Sequence, residues 1–173
     1  MKNFAIVLFG GLVFSLVPAL AQKNRPEANT RENARTVVQD VIQAAIKRSF
    51  RKTNDGQPYA LLMLMNPTAE EQERVRDLGG VAVEVLAEYA NNEDVIHQRV
   101  ALRLLSLFKS DRALAVLLEF ADHSRIREEA VAFTCVYPVE KIQPILEKFV
   151  LSDPNSEVRK AAKRCLGSYK NAG

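Results

Sequence analysis

Glycine and proline are scarce in this chain, seven of each in 173 residues. Valine, isoleucine, threonine and the aromatic residues nowhere alternate at length with polar ones. The period-2 signature of a half-buried strand is therefore missing, and an all-helical chain is the default. Histidine is scarcer still, with two in the sequence. His97 has no cysteine, histidine or carboxylate three or four residues on, and His123 stands in a turn beside Asp122, so neither offers a metal-ligand spacing. No local Ser-His-Asp or Cys-His grouping suggests a nucleophile. The carboxylates Glu70-Glu71, Glu73 and Glu128-Glu129 read as helix caps and solvated faces. Gly79-Gly80 lacks both a Gly-x-Gly-x-x-Gly frame and a terminal Lys-Ser/Thr, which argues against a phosphate loop. Charge is nearly balanced: the net value is +3 at pH 7, and setting aside residues 1–21, whose only charge is Lys2, leaves +2. That falls well short of a nucleic-acid footprint. These absences point away from an enzyme, a cofactor, a metal centre and a nucleic-acid partner.

What is present begins with a leader. Lys2 precedes an apolar stretch from Phe4 to Val17, and Ala19-Leu20-Ala21 stands before Gln22. This is the pattern of a secretory signal peptide, residues 1–21, cut after Ala21. The alternative is an uncleaved membrane anchor, since Phe4 to Ala21 is about long enough to span a bilayer. No cysteine follows Ala21, so acylation there is excluded. The expected destination is the periplasm or the medium, with membrane contact only if the signal stays uncleaved.

Residues 22–28 are polar and aperiodic, a flexible lead-in. Residues 29–77 read as an N-terminal helical cap. Asn29 and Glu32 resemble a capping pair, and Val37, Val38, Val41, Ile42, Ala45, Ile46 and Phe50 mark the buried face of the helix they open. Lys47, Arg48, Arg51 and Lys52 complement its carboxyl end. Asn54-Asp55-Gly56 signals a turn. The run from Tyr59 to Met65 is apolar all round. With Pro58 at a first helical position, it is expected to form a short buried helix in which Met63 and Met65 pack the core. Thr68-Ala69-Glu70-Glu71 fits a capping box. Val75, Leu78, Ala82, Val85, Leu86 and Tyr89 then keep helical phase through Gly79-Gly80, where the helix either kinks or ends and restarts.

Residues 78–173 carry a repeat. Its clearest copy runs from Asp153 to Tyr169. Val158, Ala161, Ala162, Cys165, Leu166 and Tyr169 fall at i, i+3, i+4, i+7, i+8 and i+11, one apolar stripe along a helix. Ile142, Ile145, Leu146, Phe149 and Val150 form a second stripe upstream, beyond the Ser152-Asp153-Pro154-Asn155 turn. Two earlier hairpins repeat the plan. One pairs the helix ending near Ala90 with Ile96–Phe108, the other pairs Leu114–Phe120 with Ile126–Tyr137. Their counterparts Ile96, Ile126 and Val158 recur at a period that marks stacked helical repeats, because one hairpin cannot bury its stripes alone.

Asp153, Val158-Arg159, Ala161-Ala162 and Leu166-Gly167 together resemble the second half of a HEAT repeat, and Pro144 resembles that family's first-helix proline. The first copy departs from the pattern, with Asn91 or Asn92 for the Asp and His97 or Gln98 for the Arg. The resemblance implies a right-handed α-solenoid of about three hairpins behind the N-terminal cap. It also implies a ladder between neighbouring repeats built from Asp122, Arg127, Asp153 and Arg159, and a non-catalytic role in binding another protein.

Two questions stay open at the level of sequence. Cys165 lies on the stripe of the last helix and Cys135 near the end of its counterpart, so they form either a disulfide or two buried thiols. The outer side of the second helices carries Arg99, Arg103, Arg127, Lys160, Lys163 and Arg164, a discontinuous basic strip that Glu128 and Glu129 interrupt. It suits an acidic protein segment or an anionic envelope polymer, or else it is a solvated face.

Overall fold

The computed structural model describes residues 27–52, 58–60, 65–123 and 125–170. The leader, most of the lead-in and the Asn54-Asp55-Gly56 turn lie outside the described residues. Among those described, eight helices account for nearly all of the regular structure, so the chain is all-α apart from one short ribbon.

Helix α1, Glu27–Ser49, buries Ala34, Val38, Val41, Ile42 and Ala45, a single stripe at helical spacing. It begins two residues before the expected Asn29 cap, because Glu27 and Ala28 are good helix formers and extend it upstream. Strands β1, Phe50–Lys52, and β2, Pro58–Ala60, then pair antiparallel with Phe50 opposite Ala60 and Lys52 opposite Pro58. This overturns the helix expected to start at Pro58. An apolar run without periodicity does not distinguish the two states, and aromatic Phe50 and Tyr59 favour the strand. Proline is tolerated at the first residue of such a strand, where no ladder donor is required of it.

Helix α2, Ala69–Arg76, opens on the expected capping box: Glu71 N donates to Thr68 Oγ1 at 3.2 Å and Thr68 N donates to Glu71 Oε2 at 2.7 Å. Arg48 adds two hydrogen bonds to the same Glu71 carboxylate, each 2.6 Å, and so ties the end of α1 to the start of α2. Burial pushes the Glu71 carboxyl up, but Arg48 and the Thr68 backbone outweigh it and hold it below its ordinary range. At Gly79 the chain ends one helix and begins another. Its φ of 62° lies in the left-handed region, which suits glycine, and α3, Gly80–Ala90, follows.

The next six helices form three pairs. Helix α3 packs on α4, Val95–Leu105; α5, Asp111–His123, on α6, Arg127–Thr134; and α7, Val139–Ser152, on α8, Ser156–Lys170. Second helices are neighbours in succession, α4 with α6 and α6 with α8, while α3 meets α5 and α1 covers α3 and α4. The shared core is fully buried at Leu86, Leu102, Leu105, Leu117, Ile142 and Leu146.

Side chains tie each pair to the one before at a stride of about one repeat. Arg112 meets Glu84, Lys141 meets Asp111, Arg99 meets Glu129, Tyr137 Oη donates to Phe108 O, Tyr169 Oη donates to Tyr137 O, and Cys135 is bonded to Cys165. These contacts span 28 to 32 residues each. The cysteine pair, open at the level of sequence, is a disulfide with Cα atoms 5.4 Å apart.

A candidate interaction groove on the second helices

The six basic residues expected on the outer strip separate into three groups. Arg127 is half-buried and structural. Its Nε donates to Ala121 O at 2.7 Å, and its guanidinium forms an ion pair with Asp153, whose side chain is only 3% exposed. The other Asp153 oxygen accepts from Asn155 N at 2.9 Å, so the buried carboxylate is satisfied on both sides. Arg159, expected beside Asp153 in the ladder, instead donates to the main-chain oxygens of Asp153 and Pro154, at 2.6 and 3.0 Å. Asp122 is exposed and has no ion pair among the described residues. The reason lies one repeat back. His97 occupies the position of Arg127, and its ring is held by Asp94 at 2.9 Å and Gln43 at 3.0 Å.

On α8, Lys160 is compensated by Glu157 at 2.7 Å and Arg164 by Glu128 at 3.0 Å. Lys163 is exposed and carries no ion pair among the described residues. The acidic residues that break the strip in sequence thus neutralise part of it in space.

Arg99 and Arg103 on α4 come together over α6. Arg99 Nε donates to Glu129 Oε2 at 2.9 Å, which leaves that pair neutral. The Arg103 guanidinium stacks 5.8 Å from the centre of the Phe133 ring, a cation–π geometry. No carboxylate among the described residues pairs with Arg103. Hollows lie on both sides of this stacked pair. One, of about 260 Å³, is lined by Met65, Arg99, Val100, Glu129, Ala132 and Phe133 along with Arg103. The other, of about 200 Å³, is lined by Pro67, Leu104, Leu107 and Val136, again with Arg103 and Phe133. Val136 is among the few large apolar side chains left exposed, at 44%.

Met65 and Asn66 line the first hollow together with residues of α4 and α6, and Pro67 lines the second. Sequence reasoning placed Met65 in the core, and it is buried, but it also floors the first hollow. Val136 lies off the repeat's apolar stripe, and that displacement was the available signal. Phe133 and Arg103 are one repeat apart, the same stride as the other ties. Among the described residues, no group of three or more His, Cys, Asp or Glu side chains could hold a metal ion, and no helix is long and apolar enough to cross a membrane.

Comparison with protein-family models, curated proteins and solved structures finds no match to this chain.

Proposed function

We propose that the chain is an exported, HEAT-like α-solenoid of about three hairpins with an N-terminal helical cap, acting as a non-catalytic protein–protein interaction module. The observation that carries the reading is the groove across α4 and α6, in which an uncompensated arginine stands between two apolar hollows on the successive second helices. Recurrent ties at one-repeat stride support the stacked architecture, since each hairpin then contacts only its neighbours. The Cys135–Cys165 bond supports export, because such bonds persist in oxidising compartments. Recognition would use a pre-formed surface, with little ordering cost on the side of this chain.

Affinity capture from envelope and secreted fractions, with Gln22–Gly173 as bait at low and at high salt, tests the proposal. One or a few proteins retained at both salt levels are expected. Recovery of only anionic polymers, or of many acidic proteins all lost at high salt, would replace the module with a polyanion-binding surface.

A further inference from the structure

Resting on that reading, we infer the chemistry of the bound segment: an extended peptide that presents a side-chain carboxylate to Arg103 and apolar side chains to the two flanking hollows. Three observations lead there. The first is charge balance within the groove. Arg99 and Glu129 neutralise each other, so the site carries one unspent positive charge, and it is on Arg103. Other arginines on the packed helices are engaged within the chain: Arg112 meets Glu84, Arg127 meets Asp153, Arg164 meets Glu128, and Arg159 donates to the main-chain oxygens of Asp153 and Pro154.

The second is preorganisation. The Arg103 guanidinium lies over the Phe133 ring and forms no ion pair among the described residues, and a planar fork is the donor set that matches a carboxylate. The third is the lining. Ala132 on one side, and Leu107 and Val136 on the other, supply apolar surface beside the polar Asn66, Gln72 and Ser106, a mixed wall that an inorganic polyanion would leave largely unused. A polymer of regular charge would also need a run of free cations. The rest of the strip is largely compensated, with Lys160 and Arg164 both paired. An acidic, partly apolar peptide satisfies the charge and the walls together.

The test uses the full chain, beside polyphosphate, and fluorescent eight-residue peptides whose central residues alternate with alanine, each named by the three side chains that share one face of the extended strand: Leu-Glu-Leu, Leu-Gln-Leu, Ser-Glu-Ser and Leu-Lys-Leu. Saturable binding of the Leu-Glu-Leu peptide is expected, weakened about tenfold by either the glutamine or the serine replacements, as for a desolvated charged anchor. Arg103→Gln should lose that preference with helicity and melting unchanged. Arg103→Glu should reverse it, so that Leu-Lys-Leu binds in place of Leu-Glu-Leu. A charge-swapped preference is an outcome that a purely structural role for Arg103 would not produce. Equal binding of the glutamate and glutamine peptides, retention of the preference by Arg103→Gln, or tighter binding of polyphosphate would each overturn the inference. Capture of the same envelope proteins by wild type and by Arg103→Gln would overturn it too, while leaving the interaction-module reading intact.

Discussion

The junction between the second and third hairpins and the junction between the first and second are built from equivalent positions, yet they are closed differently. At the later junction, Arg127 reaches a buried Asp153, and a disulfide joins α6 to α8. At the earlier one, the counterpart of Asp153 is the exposed Asp122, and the counterpart of Arg127 is His97, which is engaged by Asp94 and Gln43. Along the groove, the partly buried Arg99–Glu129 pair and the Arg103–Phe133 contact tie α4 to α6. Both junctions keep the tyrosine contact, Tyr137 to Phe108 O at 2.6 Å and Tyr169 to Tyr137 O at 2.7 Å. The difference teaches that one repeat plan can serve two ends. Where the ladder positions are filled, the junction is fastened; where they are not, side chains are left to line a groove.

The sharpest way to break that contrast is at Arg127. Arg127→Met keeps the stem of the side chain but strands the Asp153 carboxylate in the interior. Leaving one member of a buried ion pair uncompensated costs roughly 3 to 5 kcal/mol. Urea unfolding should show a loss of that size, and a change under about 1 kcal/mol would mean the pair is not a fastening. Reduction of Cys135–Cys165 comes next. Freeing a loop of this length should remove roughly 3 to 4 kcal/mol by chain entropy. Melting curves with and without reductant measure it, and coincident curves would contradict a stapled later junction.

Tyr137→Phe tests what the two junctions share, and a smaller loss is expected, about 1 kcal/mol for the hydrogen bond to Phe108 O. The phenol also has a pH signature. Burial, with the nearby Asp111 charge second, pushes its pKa from 10.0 up to about 12. A folded pKa above the unfolded one gives stability that is complete below pH 10 and lost as pH rises from there to about 12. Wild type should therefore weaken across that alkaline window more steeply than Tyr137→Phe, although Tyr89 and Tyr169, also raised by burial, keep part of the slope in both. Parallel alkaline curves would show that the Tyr137 hydroxyl is not held as described.

Much of this was legible before any coordinates. Apolar spacing located the six paired helices, and Thr68 with Glu71 announced the capping box that α2 uses. The glycine pair marked a real interruption, resolved as a stop and restart at Gly79. What escaped notice did so for physical reasons. The ribbon of Phe50–Lys52 with Pro58–Ala60 depends on pairing between segments, and an apolar run has no period to reveal it. The six basic residues were visible as a set, but whether each is neutralised depends on carboxylates a repeat away. Glu128 and Glu129 looked like interruptions of a strip and act as its counter-charges. The groove brings Met65, Asn66 and Pro67 beside residues of α4 and α6, which no local pattern encodes.

The asymmetry between the junctions is tested most directly by unfolding two variants side by side in the oxidised chain, Asp153→Ala and Asp122→Ala. These positions are equivalent in the repeat, one buried with Arg127 and one exposed without an ion pair among the described residues. Loss of about 2 to 3 kcal/mol at Asp153, with a change within about 0.5 kcal/mol at Asp122, is the predicted result. Equal losses at the two positions would mean that both junctions are fastened alike, and the division between a fastened end and a grooved end would fall.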